Sequence, residues 1–229
     1  MQTIIVTGAS GNLGQAVIKK FLGEGYTVIG SVVANDPVPM DISHGSFEKI
    51  VVDLGNENEA GEFIKNIVSK YGSIDAAVLT VGGFAMGSIK DTTVNDIKKQ
   101  FKLNFETAYN TARPVFIQMM EQKSGKIFLT GARTGIDMKN SKGMVAYGLS
   151  KSLIFRLAEL MNEEAKGTDV VTAVVAPSTI DTPQNRKSMP DADPGKWVKP
   201  EAIADIIYFY CQPGSSVIRE PIIKVYHNA

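Results

Sequence analysis

Short runs of β-branched and other apolar residues alternate along the chain with stretches whose apolar positions recur every three to four residues. The first kind predicts buried strands and the second amphipathic helices. Strands are expected at Thr3–Val6, Tyr26–Val33, Lys49–Val52, Ile74–Val81, Lys126–Thr130, Asp169–Val175 and Ile222–Tyr226. Helices are expected at about Leu13–Leu22, ended by Gly23 and Gly25, and at Glu57–Tyr71, stopped by Gly72. A longer helix runs from Val94 past Arg113 to Met120, with a bend expected at Pro114. Two more run from Tyr147 to near Gly167 and from Glu201 to Tyr210. Ala34–Gly45, with two prolines, reads as loop, and Pro177–Pro200 as a long irregular segment. No repeat, low-complexity block or linker divides the chain. Strands alternating with helices at this spacing imply parallel βαβ units with right-handed crossovers. The expectation is one doubly wound α/β domain over residues 1–229, its seven-stranded, mostly parallel sheet covered by helices on both faces. Ligands of such sheets sit at the carboxyl ends of the strands.

Composition narrows the classes of function. The 229 residues are 44% hydrophobic and 21% charged, enough to bury a full core. The 24 basic and 24 acidic side chains cancel, so neither nucleic acid nor an anionic membrane is expected as the main partner. The chain shows no basic n-region and no long uncharged apolar run, which predicts no signal peptide, no membrane span and a cytoplasmic protein. The one cysteine, Cys211, cannot form an internal disulfide; it reads as a small buried hydrophobe in a reducing compartment. His44 and His227 have no partners at metal-ligand spacing and read as solvent-exposed, so no metal site is expected.

The chemistry-bearing residues follow predicted strands. Tyr147 and Lys151 stand at i and i+4, on one face of a helix. A lysine so placed stabilises a phenolate and pulls the tyrosine below its ordinary value of about 10, although the spacing alone is common by chance. Gly8, Gly11 and Gly14, with Ser10, Asn12 and Leu13 between them, follow strand one and open a helix. Such a turn lets the backbone approach a pyrophosphate at a helix N-terminus. Asp53, followed by Leu54, ends strand three, where a carboxylate accepts from an adenine amino group or simply serves the next helix. Gly82 and Gly83 end strand four, either to let backbone pass close to a ribose or as a plain turn. Asn104 lies deep in an apolar helix. It either bonds main chain and holds a water or is a core amide satisfied by its neighbours. Phe84, Met86, Met189 and Trp197 come from loops near strand ends and are candidates for a substrate wall. Met119, Met120, Leu157 and Met161 read as core or subunit contact.

In this order, Thr7-Gly8-x-x-Gly11-x-x-Gly14, Asp53-Leu54, Gly82-Gly83, Asn104, Tyr147-x-x-x-Lys151 and Pro177-x-x-x-x-Thr182 resemble the short-chain dehydrogenase/reductase family over essentially the whole chain. The resemblance implies a Rossmann-like fold with a nicotinamide cofactor, NAD or NADP, across the sheet's carboxyl edge. It implies hydride transfer to a carbonyl or quinonoid small molecule, with Tyr147 as proton donor or acceptor. Lys151 would bind the nicotinamide ribose and lower the tyrosine pKa, Asn104 would hold a relay water, and Pro177, Ile180 and Thr182 would line the carboxamide end. It also implies a homodimer or homotetramer paired through the Asn104 and Tyr147 helices. A narrower resemblance, carried by Asp181 to Asp193, Trp197, Val81-Gly-Gly-Phe84, Gly131-Ala-Arg133 and Gly143-Met-Val-Ala-Tyr147, is to the dihydropteridine reductases. It implies a dihydropterin substrate and a lid over residues 177–200.

Two departures leave alternatives open. The family's serine at the end of strand five is absent: spacing from Tyr147 lands on Thr134, whereas matching the motif lands on Ala132. The end of strand two, Gly30 to Ala34, carries neither the acid of NAD users nor an arginine, and Asp36 stands late in the loop. Gly11 occupies a place where many NADP-using relatives carry a basic residue. The rival function is a nicotinamide-nucleotide-binding sensor or interaction protein without catalysis, against which the Tyr147, Lys151 and Asn104 set argues.

Overall fold

The computed structural model describes residues 2–139 and 141–228. Every residue of β1 (Thr3–Thr7) is buried, and its side chains leave alternately to two sides. Ile4 and Val6 enter one apolar cluster and Ile5 the other. β5 (Ser124–Thr130) does the same, sending Phe128 one way and Ile127 and Leu129 the other. Strands sealed on both faces need helices above and below. α1 (Asn12–Gly23) and α8 (Pro200–Tyr210) cover one face through Val17, Ile18, Phe21, Ile203 and Ile207. α2 (Glu57–Tyr71), α4 (Thr107–Gln122) and α6 (Val145–Glu164) cover the other, burying residues such as Phe63, Met119 and Phe155. First and last helices are locked together: Phe21 meets Tyr208 edge to face at 5.6 Å, and Lys20 pairs with Asp205 at 3.1 Å.

With β2 (Thr27–Val32), β3 (Phe47–Val51), β4 (Ala76–Leu79), β6 (Asp169–Pro177) and β7 (Ile222–Val225), the sheet runs β3-β2-β1-β4-β5-β6-β7. The expected seven-stranded, doubly wound sheet is there, and every pairing in it is parallel. Successive strands step outward from β1 in opposite directions, so the crevice above the carboxyl ends of β1 and β4 is the topological switch point.

Local chemistry sets the boundaries. Asn56 caps α2 by accepting from the N–H groups of Asn58 and Glu59, and Gly72 ends it at φ 81°. Thr93 and Asp96 form a capping box that starts α3 (Val94–Phe101). Pro114 lies inside α4, and the irregularity is a π turn at Lys102–Glu106 between α3 and α4. There the Thr107 hydroxyl donates to the Leu103 carbonyl at 2.7 Å. β4 stops before Thr80 because that residue turns to β1, its hydroxyl donating to the Thr7 carbonyl at 2.6 Å. The segment expected to be irregular holds α7 (Pro183–Ser188) and a 3₁₀ turn at Pro194–Lys196; a bridge between Ile180 and Val198 ties its two ends. A single helical turn, α5 (Arg133–Ile136), occupies the loop before α6. Cys211 is partly buried against the α1–α8 cluster, and burial pushes its thiol up to about 12. His44 and His227 are exposed. Among the described residues no helix is long and apolar enough to cross a membrane, and no group of three His, Cys, Asp or Glu is placed to hold a metal.

Candidate active site

At the end of β1 the chain folds into a turn too tight for side chains. Gly8 holds φ 62°, and a Cβ at Gly14 would lie 2.2 Å from the Gly8 carbonyl oxygen. α1 then begins at Gly11 with no side-chain cap, so its first N–H groups face the crevice without a side-chain acceptor. This turn, including Ser10, Asn12 and Leu13, is one wall of a cleft of about 1220 Å³. Asp53, Leu54 and Gly82 line the same cleft, as do Pro177, Ile180 and Thr182 on the far side.

The chemistry end is built by β5 and α6. Tyr147 stands in the first turn of α6 and Lys151 one turn later; both line the cleft, with Thr134 beside them. Lys151 is buried, and its Nζ donates to the Thr130 carbonyl at the end of β5 at 2.7 Å. Gly82 passes close over it: a Cβ there would lie 3.2 Å from Nζ and 2.7 Å from Asn104 Oδ1. The expected downward pull of Lys151 on Tyr147 is not what the two groups show. Burial pushes the Tyr147 phenol up to about 12 and the Lys151 ammonium down to about 8, because desolvation disfavours each charged form. The Thr134 hydroxyl is buried with no protein partner, whereas Ala132, the other candidate for the missing serine, brings no hydroxyl.

Three candidates, Asn104, Trp197 and Met86, do not line the cleft, although Asn104 packs directly behind Gly82. Asn104 is buried behind the cleft and all its side-chain atoms are taken. Oδ1 accepts from Gly83 N–H at 2.9 Å, and Nδ2 lies within donating distance of the Gly83 carbonyl, Gln100 Oε1 and Ser150 Oγ at 3.0, 2.8 and 3.1 Å. Asn104 thus bonds main chain at Gly83, and it lies in the π turn. Trp197 is buried beside the Ile180–Val198 bridge and does not line the cleft. Met86 is exposed outside the cleft lining, its methyl end over Gly143. Phe84 and Met189 do line the cleft, and Phe84 meets the Tyr147 ring edge to face at 5.0 Å.

Asp36, set aside in the sequence for standing late in its loop, reaches the site. The loop after β2 folds back so that the carboxylate accepts from the Ser10 hydroxyl at 2.5 Å, and this bond holds the acid below the usual carboxylate range. The signal was an acid within a few residues of the strand end; the loop's return was not legible.

The family model for short chain dehydrogenases matches residues 2–193. An uncharacterised oxidoreductase of Bacillus subtilis is 29% identical over 178 residues, 76% of this chain and 66% of that protein. A dihydropteridine reductase of Dictyostelium discoideum is 27% identical over 210 residues, 90% of this chain and 86% of that protein. Among solved structures, that of ElxO with NADP bound superposes with a TM-score of 0.90 over 98% of this chain and 96% of that one, at 20% identity, a likeness of fold.

Proposed function

The chain belongs to the short-chain dehydrogenase family and is an NAD(P)-dependent oxidoreductase; we propose that it reduces a carbonyl or quinonoid compound with Tyr147 as proton donor. The observation that carries this is one cleft with a glycine turn at one end and the Tyr147–Lys151 pair at the other. The residues present fit a dinucleotide. The Gly8–Gly14 turn and the free N–H groups of α1 suit a pyrophosphate, Asp53 an adenine amino group, and Lys151 a ribose beneath the nicotinamide. Asp36 favours NAD over NADP, because an ionised carboxylate accepts from ribose hydroxyls and repels a 2′-phosphate. When bound, the nicotinamide supplies the hydride.

The protein supplies position and a proton. Burial keeps Tyr147 protonated, so it donates to the substrate oxygen, and the Lys151 ammonium stabilises the phenolate that remains. Thr134, which lines the cleft, takes the role of the family's serine by turning its buried, unpartnered hydroxyl toward the same oxygen. Asn104 acts as a positioning residue, tying the Gly83 backbone to the Tyr147 helix through Ser150. The segment over residues 178–199, with α7, serves as the substrate lid. A dihydropterin is the quinonoid substrate to try first, since a relative is named a dihydropteridine reductase and the lid carries the resemblance.

The test is oxidation of NADH and of NADPH, followed spectroscopically with quinonoid dihydropterin and with a panel of aldehydes and ketones. Tyr147→Phe is expected to lose about 10²- to 10⁴-fold in kcat while keeping its nucleotide affinity. Full activity in that variant would refute the mechanism. Tight nucleotide binding with no turnover of any compound would favour the non-catalytic sensor.

A further inference from the structure

The chain as a whole is neutral, with 24 basic and 24 acidic side chains, but its cleft is not. Among the described residues five cations line it, Lys99, Lys102, Arg133, Lys139 and Lys151, against two acids, Asp36 and Asp53. The two signs are unevenly spread. At the nucleotide end they meet: a Cβ at Gly55 would lie 3.1 Å from Asp53 Oδ1 and 3.2 Å from Lys102 Cε. The lining of the chemistry end holds no described acid. Arg133 and Lys139 stand on either side of the α5 turn, one opening it and the other in the loop that follows. That turn sits directly on the Tyr147 helix. A Cβ at Gly135 would lie 2.8 Å from the Lys151 carbonyl oxygen and 2.6 Å from the Phe155 ring. The element that carries both cations is thereby fixed against the helix of the Tyr147–Lys151 pair.

The acids nearby are occupied elsewhere. Asp137 lies outside the lining, and its carboxylate accepts from the Lys139 backbone N–H at 2.8 Å. Asp181, also outside it, is taken by Arg186 through two bonds at 2.6 and 2.8 Å. No carboxylate among the described residues forms an ion pair with Lys139. The Arg133 guanidinium lies over the Tyr226 ring at 5.1 Å, a contact that orients it and leaves its charge in place. The cofactor does not account for this excess. A pyrophosphate belongs at the Gly8–Gly14 turn and a ribose at Lys151, and a reduced nicotinamide ring is uncharged. Arg133 and Lys139 are left for the substrate, with Thr179 and Gln184 adding a hydroxyl and an amide to the same lining.

We propose that the substrate carries an anionic group, a carboxylate or a phosphate, besides its carbonyl or quinonoid centre, and that Arg133 and Lys139 hold that group as specificity-determining residues. The proposal rests on the reading of Tyr147 as proton donor. The full-length protein, with NADH and with NADPH, is assayed on para-carboxybenzaldehyde and on para-formylphenyl phosphate, each beside its neutral methyl ester. The esters are the more reactive aldehydes, so a preference for an acid reads its charge. The expected result is a kcat/KM at least fivefold higher for one acid than for its ester, and the acid that shows it tells carboxylate from phosphate. The preference should shrink in about 0.5 M salt. It should fall at least threefold in Lys139→Gln, at an exposed loop position, and further in Arg133→Gln/Lys139→Gln. Esters turned over as well as both acids, or a preference unchanged in Lys139→Gln, overturns the proposal. Calorimetric titration of the NADH complex with terephthalate and with phenyl phosphate, which carry no aldehyde, separates the two readings. Binding that weakens at least threefold in Lys139→Gln, with no turnover of any aldehyde, supports the anion site and overturns the reductase mechanism. Neither binding nor turnover overturns both.

Discussion

At the scale of single residues, the site pairs two groups whose burial drives them in opposite directions. Lys151 has its folded-state pKa depressed to about 8, so its ammonium is present below about pH 8 and lost above it. Reduction is therefore expected to slow as pH rises through about 8, while Tyr147, pushed up to about 12, keeps its proton throughout. A pH–kcat profile flat from 7 to 9.5 would remove the Lys151 proton from the mechanism. Between about 8 and 10.5 the unfolded chain binds more protons at this lysine than the folded one, so its contribution to stability grows with pH across that window. Thr134 provides a second check. A hydrogen bond to charge developing on the substrate oxygen is worth about 1.5–3 kcal/mol, or about 10- to 100-fold in kcat. Thr134→Val should lose that much and Thr134→Ser little, with the KM for nucleotide unmoved; equal kcat in both variants would return the position to a structural one. The glycines, Tyr147 and Lys151 were legible because their chemistry needs fixed spacing. Asp36 was not, since its place depends on how backbone returns from a loop.

At the scale of elements, the junction of α3 and α4 matters most. Its π turn swings Asn104 into a network that joins three pieces of chain: Gln100 on α3, the Gly83 backbone after β4, and Ser150 on the Tyr147 helix. Removing it leaves buried donors and acceptors without partners, at a cost of about 2–3 kcal/mol. Asn104→Ala should accordingly lower Tm by about 5–10 °C, measured by scanning calorimetry; a Tm within a degree of wild type would show the network to be dispensable. The strands and long helices were readable from periodicity, α2 from Glu57 to Tyr71 to the residue, whereas β4 is only half the length expected, Ala76–Leu79 against Ile74–Val81. The π turn was hidden because helical periodicity carries straight through it, and Pro114 offered a more obvious place for an irregularity. α7 was hidden by its six-residue length, which leaves no room for a period to show.

At the scale of the whole molecule, the helices that cover one face of the sheet keep apolar residues outside as well as in. Tyr109 and Ile117 on α4 and Leu149, Leu153 and Leu160 on α6 are all exposed. Two copies joined through these helices would bury them, so light scattering should find a dimer or larger, and Leu153→Lys/Leu160→Lys should yield monomers. A monomeric wild type at micromolar concentration would refute that pairing. The embrace of α1 by α8 carries a different consequence, for synthesis on the ribosome. The apolar face of α1 emerges early, but its cover, with Asp205 and Tyr208, is translated almost last. Through most of translation the nascent chain must therefore display a greasy helix beside a half-built sheet, which is the kind of surface that chaperones bind.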